Sequence, residues 1–339
     1  MERHHSSKAW AISLCILPVL VVLVSIFIGP SAEASPRAVF VWLISMATPG
    51  SHSHTQGMVE TILLDVRLPR ILLALVVGAA LTASGSSLQA LMRNPLVSPD
   101  ILGLSSGAAF GAALSMSLHW MPLQPAAFLF GLLATALSTL MAGGRRGFSM
   151  TSLILAGVIT SGIFTALLTI VQIYSDPFKL QTIVHWTMGN LHNASWSKLR
   201  SAGLPVLAGA AALMFLRWRL NAISMGDDEM RAVGLNPTRE KILVLIPATL
   251  IASAAVAVAG IIGMIGLVVP HMIRMLIGPD NRKVLPVSLA FGGAFLVLVD
   301  DFARAITSFE VPVGIFTTLI SGPIFFYLLK KHDAGFREN

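Results

Sequence analysis

The residues of this chain that could do chemistry are few and lie far apart. The stretch 103–107 is GLSSG, which matches the G-x-S-x-G pattern of a nucleophile elbow. That motif needs a strand–turn–helix, whereas here small residues continue a helical pattern, so close helix packing is the interpretation we favour. Asp300 and Asp301 lie in an apolar run, where an acid could relay a proton. Arg304 follows at helical spacing, and we expect an intrahelical ion pair instead.

The histidines give no stronger pattern. His271 and Arg274, in PHMIR, share a helix face by their spacing but have no companion ligand, so a structural polar contact is expected. His185 and His192 fall in a polar segment between apolar runs, where they could touch a cargo. Cys15 is the single cysteine, which excludes an intrachain disulfide. The sequence therefore predicts no catalytic residue, no metal site and no cofactor of its own.

One short stretch gathers charge. MGDDEMRAVGLNPTREK, residues 225–241, contains three acids where a helix N-terminus favours them and Gly234 where a helix would stop. Asn236 is a good N-cap and Pro237 a good first helical residue. We expect two short helices joined by a bend, presenting Met230, Val233 and Leu235 among the charges. This segment is either a solvated loop or a docking surface for a soluble partner.

The composition surrounding that stretch is that of a polytopic membrane protein. Hydrophobic residues make up 55% of the 339 residues and charged residues 12%, against about 25% charged in soluble domains. The net charge of +7 is explained by basic loops that orient spans, rather than by nucleic acid. The apolar run at 10–29 has no small-residue cleavage site after it and is interpreted as a retained span.

Apolar runs long enough to cross a bilayer predict an all-α, single-domain chain over residues 1–339 with ten transmembrane helices. The run 242–277 is too long for one span, and Gly260, Gly263 and Gly266 mark its expected break. With ten spans and both termini inside, most Lys and Arg residues fall on the cytoplasmic side. The predicted spans are 10–29, 71–91, 101–118, 123–142, 151–174, 201–217, 242–260, 261–277, 284–303 and 311–329.

Several stretches, in order, resemble one family: RLPRILLALVVGAALTASGSSLQALMRNPLVSPDILGLSSGAA (67–109), HWTMGNL (185–191), GDDEMRAVGLN (226–236), GMIGLVVPHMIR (263–274) and EVPVGIFTTLISGPIFFYLL (310–329). They resemble the FecCD or BtuC-like permease subunits of ABC importers for iron–siderophore complexes, haem and cobalamin. The resemblance covers nearly the whole chain after the first span. The chain has no G-x-x-x-x-G-K-[ST] loop, so ATP and magnesium would be bound by a separate ATPase.

The resemblance implies a BtuC-like fold and a set of partners. These are two ATPase subunits, a periplasmic or lipid-anchored substrate-binding protein, and a second permease subunit, with a homodimer favoured. It implies coupling helices at about 226–240 and no nucleic-acid partner. The residues expected to contact the ATPase are Asp227, Asp228, Glu229, Met230, Arg231, Ala232, Val233, Gly234 and Leu235.

Two further sites follow from the resemblance. Arg67, Arg70 and Arg304 match arginines that pair with carboxylates of the binding protein, although arginines at span ends also anchor helices in headgroups. Met150 and Thr151 match the cytoplasmic gate, where some relatives carry small hydroxyl residues and this chain has a bulky Met. The expected location is the bacterial cytoplasmic (inner) membrane.

The expected cargo is an iron–siderophore or related metal chelate, with haem or cobalamin as the alternative and oxyanions still open. Two other classes of protein compete with this interpretation. A secondary transporter would need a coupling carboxylate deep in a span, and the spans have almost no acids. An intramembrane enzyme would need a Ser/His or metal constellation at matched depth, and none is evident.

Overall fold

The computed structural model describes residues 16–47, 54–144, 147–306 and 311–337, and it is almost wholly helical. Most of the predicted spans overlap a helix of the structure. Which of these helices cross a membrane stays a prediction. The helices are α1 (Ile16–Ser25), α2 (Pro36–Ala47), α3 (His54–Thr61), α4 (Leu68–Met92), α5 (Leu104–Leu118), α6 (Leu123–Ala142), α7 (Met150–Tyr174), α8 (Pro177–Thr187), α9 (Trp196–Met225), α10 (Asp227–Ala232), α11 (Pro237–Ala259), α12 (Ile265–Ile277), α13 (Asn281–Ile306) and α14 (Val313–Arg337).

Three smaller elements complete the path. A π-helical turn at Ile62–Arg67 joins α3 to α4, and a 3-10 turn at Pro99–Leu102 precedes α5. Two-residue strands β1 (Gly143–Gly144) and β2 (Gly147–Phe148) pair antiparallel between α6 and α7. Six helical segments of the described residues have the length and hydropathy of a membrane span, and five more apolar helices are shorter.

Helix α4 forms the centre of the bundle, because α9, α11, α12 and α13 all pack against it. Small residues permit this close packing. A methyl group built on Gly85 would lie 1.8 Å from the carbonyl oxygen of Gly266 on α12. By contrast, α7 and α9 bury only 22% of their most apolar windows within the chain. Their remaining faces are left for lipid or for another subunit.

The apolar run 242–277 is divided between α11 and α12. Helix α11 ends at Ala259, and Gly260 follows with φ +72°, in the left-handed region that glycine adopts without strain. The Asn190 backbone N–H donates to the Ala259 carbonyl, which has no acceptor role left within α11, at 2.7 Å. Gly266 lies inside α12 rather than at the break, because its missing side chain is needed for the contact with α4.

Candidate functional site

The charged segment begins with the short helix α10. Three acids, Asp227 to Glu229, occupy its first turn, where the helix dipole favours negative charge. Its C-terminus is closed as expected: Gly234 has φ +80°, its N–H donates to the Arg231 carbonyl at 3.0 Å, and Leu235 N–H reaches back to Met230 at 2.9 Å. Gly234 therefore ends the helix and turns the chain sharply.

The second helix of the segment differs from the expected short one. The Asn236 side chain accepts from Arg239 N–H at 3.2 Å and Pro237 occupies the first turn, both as the sequence indicates. The helix then continues without interruption to Ala259 as α11. The capping residues were identified correctly, but nothing in the following apolar run ends a helix, so the segment is joined rigidly to the bundle.

The apolar residues of the segment face different ways. Met230 is 0% exposed and belongs to the hydrophobic core, Leu235 is half-buried against that core, and Val233 is 63% exposed. The expectation that all three would be presented among the charges is therefore wrong for Met230. Its helical position points inward because α10 packs on α9 and α11.

Two ion pairs fasten α10 and α11 to the bundle. Buried Lys241 donates to Asp227 at 2.7 Å, and Arg219 on α9 contacts both carboxylate oxygens of buried Glu240 at 2.6 and 2.8 Å. A third pair, Arg231 with Asp228 at 2.8 Å, is exposed on both sides. Buried charges thus hold the segment in place, whereas Asp228 and Arg231 stay exposed.

The arginines predicted for docking are all buried in this chain. Arg67, Arg70 and Arg304 are 3%, 5% and 4% exposed. Arg70 makes a bidentate contact with Asp300, its Nε and Nη2 lying 3.0 and 2.9 Å from the two carboxylate oxygens. The N-terminal end of α4 therefore presents no free guanidinium fork among the described residues.

Arg304, Asp301 and Arg67 also have partners inside the chain, although Asp301 Oδ2 and Arg304 Nε make no hydrogen bond among the described residues. Arg304 pairs with Asp301 and lies 3.3 Å from Asp300, so the ion pairing along α13 expected from the sequence is present. Ser25 on α1 donates to Asp301 at 2.6 Å. Arg67 donates to the carbonyls of Ile26 and Ala34 at 2.9 and 2.7 Å. We call Arg67, Arg70, Asp300, Asp301 and Arg304 the outer ionic cluster; it ties α1 and its following loop to α4 and α13.

The predicted gate residues lie at the start of α7. Ser149 caps this helix by accepting from Ser152 N–H at 3.5 Å. Met150 is half-buried against the core and Thr151 is exposed. Thr151 therefore lies at the edge of the bundle. The gate role of both residues stays a prediction.

The other candidate residues have structural surroundings. Ser105 donates to Asp100 at the junction between the 3-10 turn and α5. Because the GLSSG stretch follows a 3-10 turn and continues as a helix, it lacks the strand that a nucleophile elbow requires. Burial raises the pKa of the Asp100 carboxyl. His185 and His192 stack with ring centroids 5.4 Å apart. Among the described residues, no three His, Cys, Asp or Glu side chains group as metal ligands would.

Arg274 joins several helices at the end of the bundle that carries α10. It donates to the side chain of Gln89, to the Ser86 carbonyl at 2.9 Å and to Asn281 at 3.0 Å. Beside it, Arg282 donates to both oxygens of Asp280 and holds the pKa of that carboxyl well below its usual range. Gln89 and Asn281 were not singled out by the sequence.

The fold defines a multi-pass helical membrane protein that carries one short charged segment between two of its helices. The FecCD transport family matches residues 16–331, and the chain belongs to that family. The chain is 36% identical over 328 residues to the molybdate import system permease protein MolB of Haemophilus influenzae, covering 95% of each chain. It is 38% identical over 278 residues to the Probable iron chelatin transport system permease protein of Helicobacter pylori, covering 82% of this chain and 85% of that one.

Other relatives are named as hemin and cobalamin import permeases. Among solved structures, a metal-chelate type ABC transporter in an inward-facing conformation matches with a TM-score of 0.84 and 35% identity, over 96% of this chain and 99% of that one. The chain is thus a permease of an ABC importer of the metal-chelate type and a transport component rather than an enzyme.

Proposed function

We propose that this chain is the permease subunit of an importer for an iron–siderophore or related metal chelate, driven by separate ATPase subunits through segment 226–240. The observation that carries this is the division of charge in that segment. Lys241 and Glu240 hold it to the bundle from inside, while Asp228, Glu229 and Arg231 stay exposed. A docking element must be stiff toward its own protein and open toward its partner, and this arrangement supplies both.

The coupling mechanism follows from that stiffness. Two ATPase subunits, which bind the ATP and magnesium, move toward each other on nucleotide binding and carry segment 226–240 with them. Because α11 continues from the segment without a flexible joint, that movement passes directly to the bundle core. The helices then alternate between two packed arrangements, one open to each side of the membrane.

Helix α7 supplies the translocation path in this proposal. One of its exposed faces is apolar, whereas a neighbouring exposed face is formed by Thr151, Val158, Gly162, Thr165 and Thr169. Small and hydroxyl side chains bind a large cargo weakly, as a path requires. The face formed by Thr151 to Thr169 lies opposite the same face of α7 in an identical subunit, so the path lies between two copies. Met150 and Thr151 narrow this path at its inner end.

A substrate-binding protein delivers the cargo at the outer ends of α4 and α13. Arg67, Arg70 and Arg304 bind carboxylates of that protein, and their burial adds a requirement. The incoming carboxylates must exchange with Asp300 and Asp301 at Arg70 and Arg304, and with the backbone carbonyls of Ile26 and Ala34 at Arg67. Guanidinium forks accept such exchange because any carboxylate fits them bidentately.

The cargo is the part of this proposal on which relatives differ. The iron chelatin relative and the metal-chelate transporter structure favour a metal chelate, whereas haem or cobalamin is the alternative and the molybdate relative adds an oxyanion. Uptake into vesicles carrying the complete importer separates them, using a ferric siderophore, haemin, cobalamin and molybdate as competing cargoes. Transport of molybdate alone would contradict the metal-chelate assignment.

The proposed location is a bacterial inner membrane with both termini in the cytoplasm. The ATPase assignment is tested by co-purification of the chain with its candidate ATPase. Reversing Glu229 (E229K) and Arg231 (R231E) together is expected to abolish recovery of the ATPase, because both side chains lie on the exposed face. The control reverses Arg200 (R200E), an exposed charge at the other end of α9 and outside the segment.

The control distinguishes loss of docking at this segment from a general effect of reversing a surface charge. If the E229K/R231E variant loses the ATPase while remaining folded in the membrane, the segment is the docking site. If the wild-type chain holds no ATPase, the importer proposal fails, and an ion-coupled transporter using Asp300 or Asp301 becomes the alternative to measure.

A further inference from the structure

A continuous set of hydrogen bonds leads from the end of α9, which directly precedes the proposed ATPase-docking segment, into the bundle core. It begins at Ser224 near the end of α9, two residues before Gly226, the N-cap of α10. There Ser224 accepts from the Asn281 side chain at 3.1 Å, and Asn221 accepts from the Asn281 N–H at 2.8 Å. Asn281 is 2% exposed and starts α13, so it fixes the beginning of that helix to the end of α9.

Arg274 extends this connection to two more helices. Its guanidinium, on α12, donates to the Asn281 side-chain oxygen and, from the same nitrogen, to the Ser86 carbonyl on α4. Its other terminal nitrogen donates to Gln89, also on α4. Gln89 in turn donates to the Leu267 carbonyl at 3.0 Å and to the Val97 carbonyl at 3.3 Å. One planar guanidinium thus joins α4, α12 and α13.

The chemistry of these contacts argues against a role in stability alone. The acceptors that the described residues offer to Arg274 are all uncharged: one amide on α4, one amide on α13 and one backbone carbonyl. A charged group placed among neutral acceptors is a costly way to hold helices together, and a long apolar side chain would fill the space at lower cost. What the guanidinium supplies is several donors in fixed directions.

We propose that Arg274 and Asn281 form a relay that transmits movement of segment 226–240 to α4 and α12. This inference rests on the proposed function and identifies the residues that link ATP hydrolysis to the translocation path. When the ATPase displaces α10, the end of α9 carries Asn221 and Ser224 with it. The bonds to Asn281 then shift the start of α13, and Arg274 passes the shift to α4 and α12 in concert.

The relay is tested in proteoliposomes that contain the complete importer, by measuring cargo transported per ATP hydrolysed. Arg274→Lys keeps the charge and loses the fork. Ser224→Ala removes the bond from Asn281, together with the hydroxyl's own bond to the Leu220 carbonyl, at an exposed helix end where Ala favours the helix. Both variants are expected to co-purify with the ATPase and to hydrolyse ATP. Transport per ATP is expected to fall on the order of tenfold, the usual size of coupling between two sites.

The matched control is Arg200→Lys. This substitution is chemically the same but lies at the other end of α9, where Arg200 is exposed and donates to the Trp196 carbonyl. It should leave transport per ATP unchanged. A merely structural role for Arg274 would lower the yield of folded complex without changing the ratio of transport to hydrolysis in the complexes that remain.

The double variant, Arg274→Lys with Ser224→Ala, distinguishes a relay from two separate defects. If both residues act in one relay, breaking it at a second point adds no further loss. The double variant should therefore transport as much cargo per ATP as the single variant that transports less. Effects that multiply, or an unchanged ratio in Ser224→Ala, would overturn the proposal even if Arg274→Lys fails to assemble. A wild-type chain that neither holds nor stimulates an ATPase would instead refute the proposed function itself.

Discussion

Removing Asp300 from the outer ionic cluster should destabilise the protein strongly, and removing its partner as well should restore much of the loss. Asp300 is 1% exposed and contacts Arg70 through two nitrogens and Arg304 through a third. Asp300→Leu leaves three buried guanidinium groups with Asp301 as the single carboxylate of the cluster. Breaking a buried pair in this way costs about 3–5 kcal/mol, which is roughly a 100- to 4,000-fold change in the unfolding equilibrium.

The double variant Arg70→Met with Asp300→Leu removes both charges. Arg304 and Asp301 then remain as a balanced pair, and Arg67 keeps its two carbonyl acceptors. The double variant should therefore unfold at a higher denaturant concentration than either single variant. The assay is unfolding of the purified chain in mixed detergent micelles. If the losses of unfolding free energy in the two single variants simply add up in the double variant, Arg70 and Asp300 are not coupled, and this reasoning is refuted.

The same double variant also tests docking of the binding protein, because it separates the loss of Arg70 from the loss of the fold. If Arg70 exchanges Asp300 for a carboxylate of the partner, the folded double variant should bind the binding protein at least several-fold more weakly than the wild type. Unchanged affinity would limit Arg70 to its contact with Asp300. A single Arg70 variant could not decide this, since misfolding alone would abolish docking.

Three further predictions concern individual residues. Gly85→Ala should lower the free energy of unfolding by more than the roughly 1–3 kcal/mol usual for an overpacked core, because the added methyl group meets the Gly266 backbone oxygen. Unfolding in detergent measures this loss, and Gly203→Ala, whose methyl group meets nothing within 4 Å, is the control. Asp280 has a lowered pKa, so its stabilising contribution is present above about pH 4 and is lost as the pH falls further; Asp280→Asn should flatten the dependence of unfolding on pH below that value. Ser105→Ala, together with Ser106→Ala, should leave cargo uptake unchanged, whereas abolished uptake by a folded variant would contradict a packing role.

The sequence predicted long apolar helices well because their signal is local. Residues 123–142 form one mostly apolar run without a charged residue, and α6 has those same limits, Leu123–Ala142. Helices α3 and α8 were not predicted, since HTQGMVET and PFKLQTIVHWT are short and partly polar and have no run of membrane-spanning length. Their positions depend on contacts with the larger helices, which no local pattern records.

The candidate site was predictable to the extent that it depends on helix termini. Asn236 and Gly234 are residue types that serve caps and left-handed turns, so the boundaries of α10 and α11 could be identified from the sequence. The direction of Met230 could not, because it depends on where α10 rests against α9. Arg274 was recognisable as an unusual charge, but Gln89 is 185 positions away in the chain. A single sequence does not indicate that pairing.

The charges of this chain perform three separate tasks, and their partners distinguish them. Charges paired with opposite charges in the interior, such as Lys241 with Asp227, fix one helix to another. Exposed charges such as Glu229 lie on the face that we propose for ATPase docking. Arg274 belongs to neither group, because it is bonded to neutral groups on α4 and α13. A neutral hydrogen bond exchanges more cheaply than a buried ion pair, so a relay that must form and reform in each transport cycle is best built from contacts of this kind.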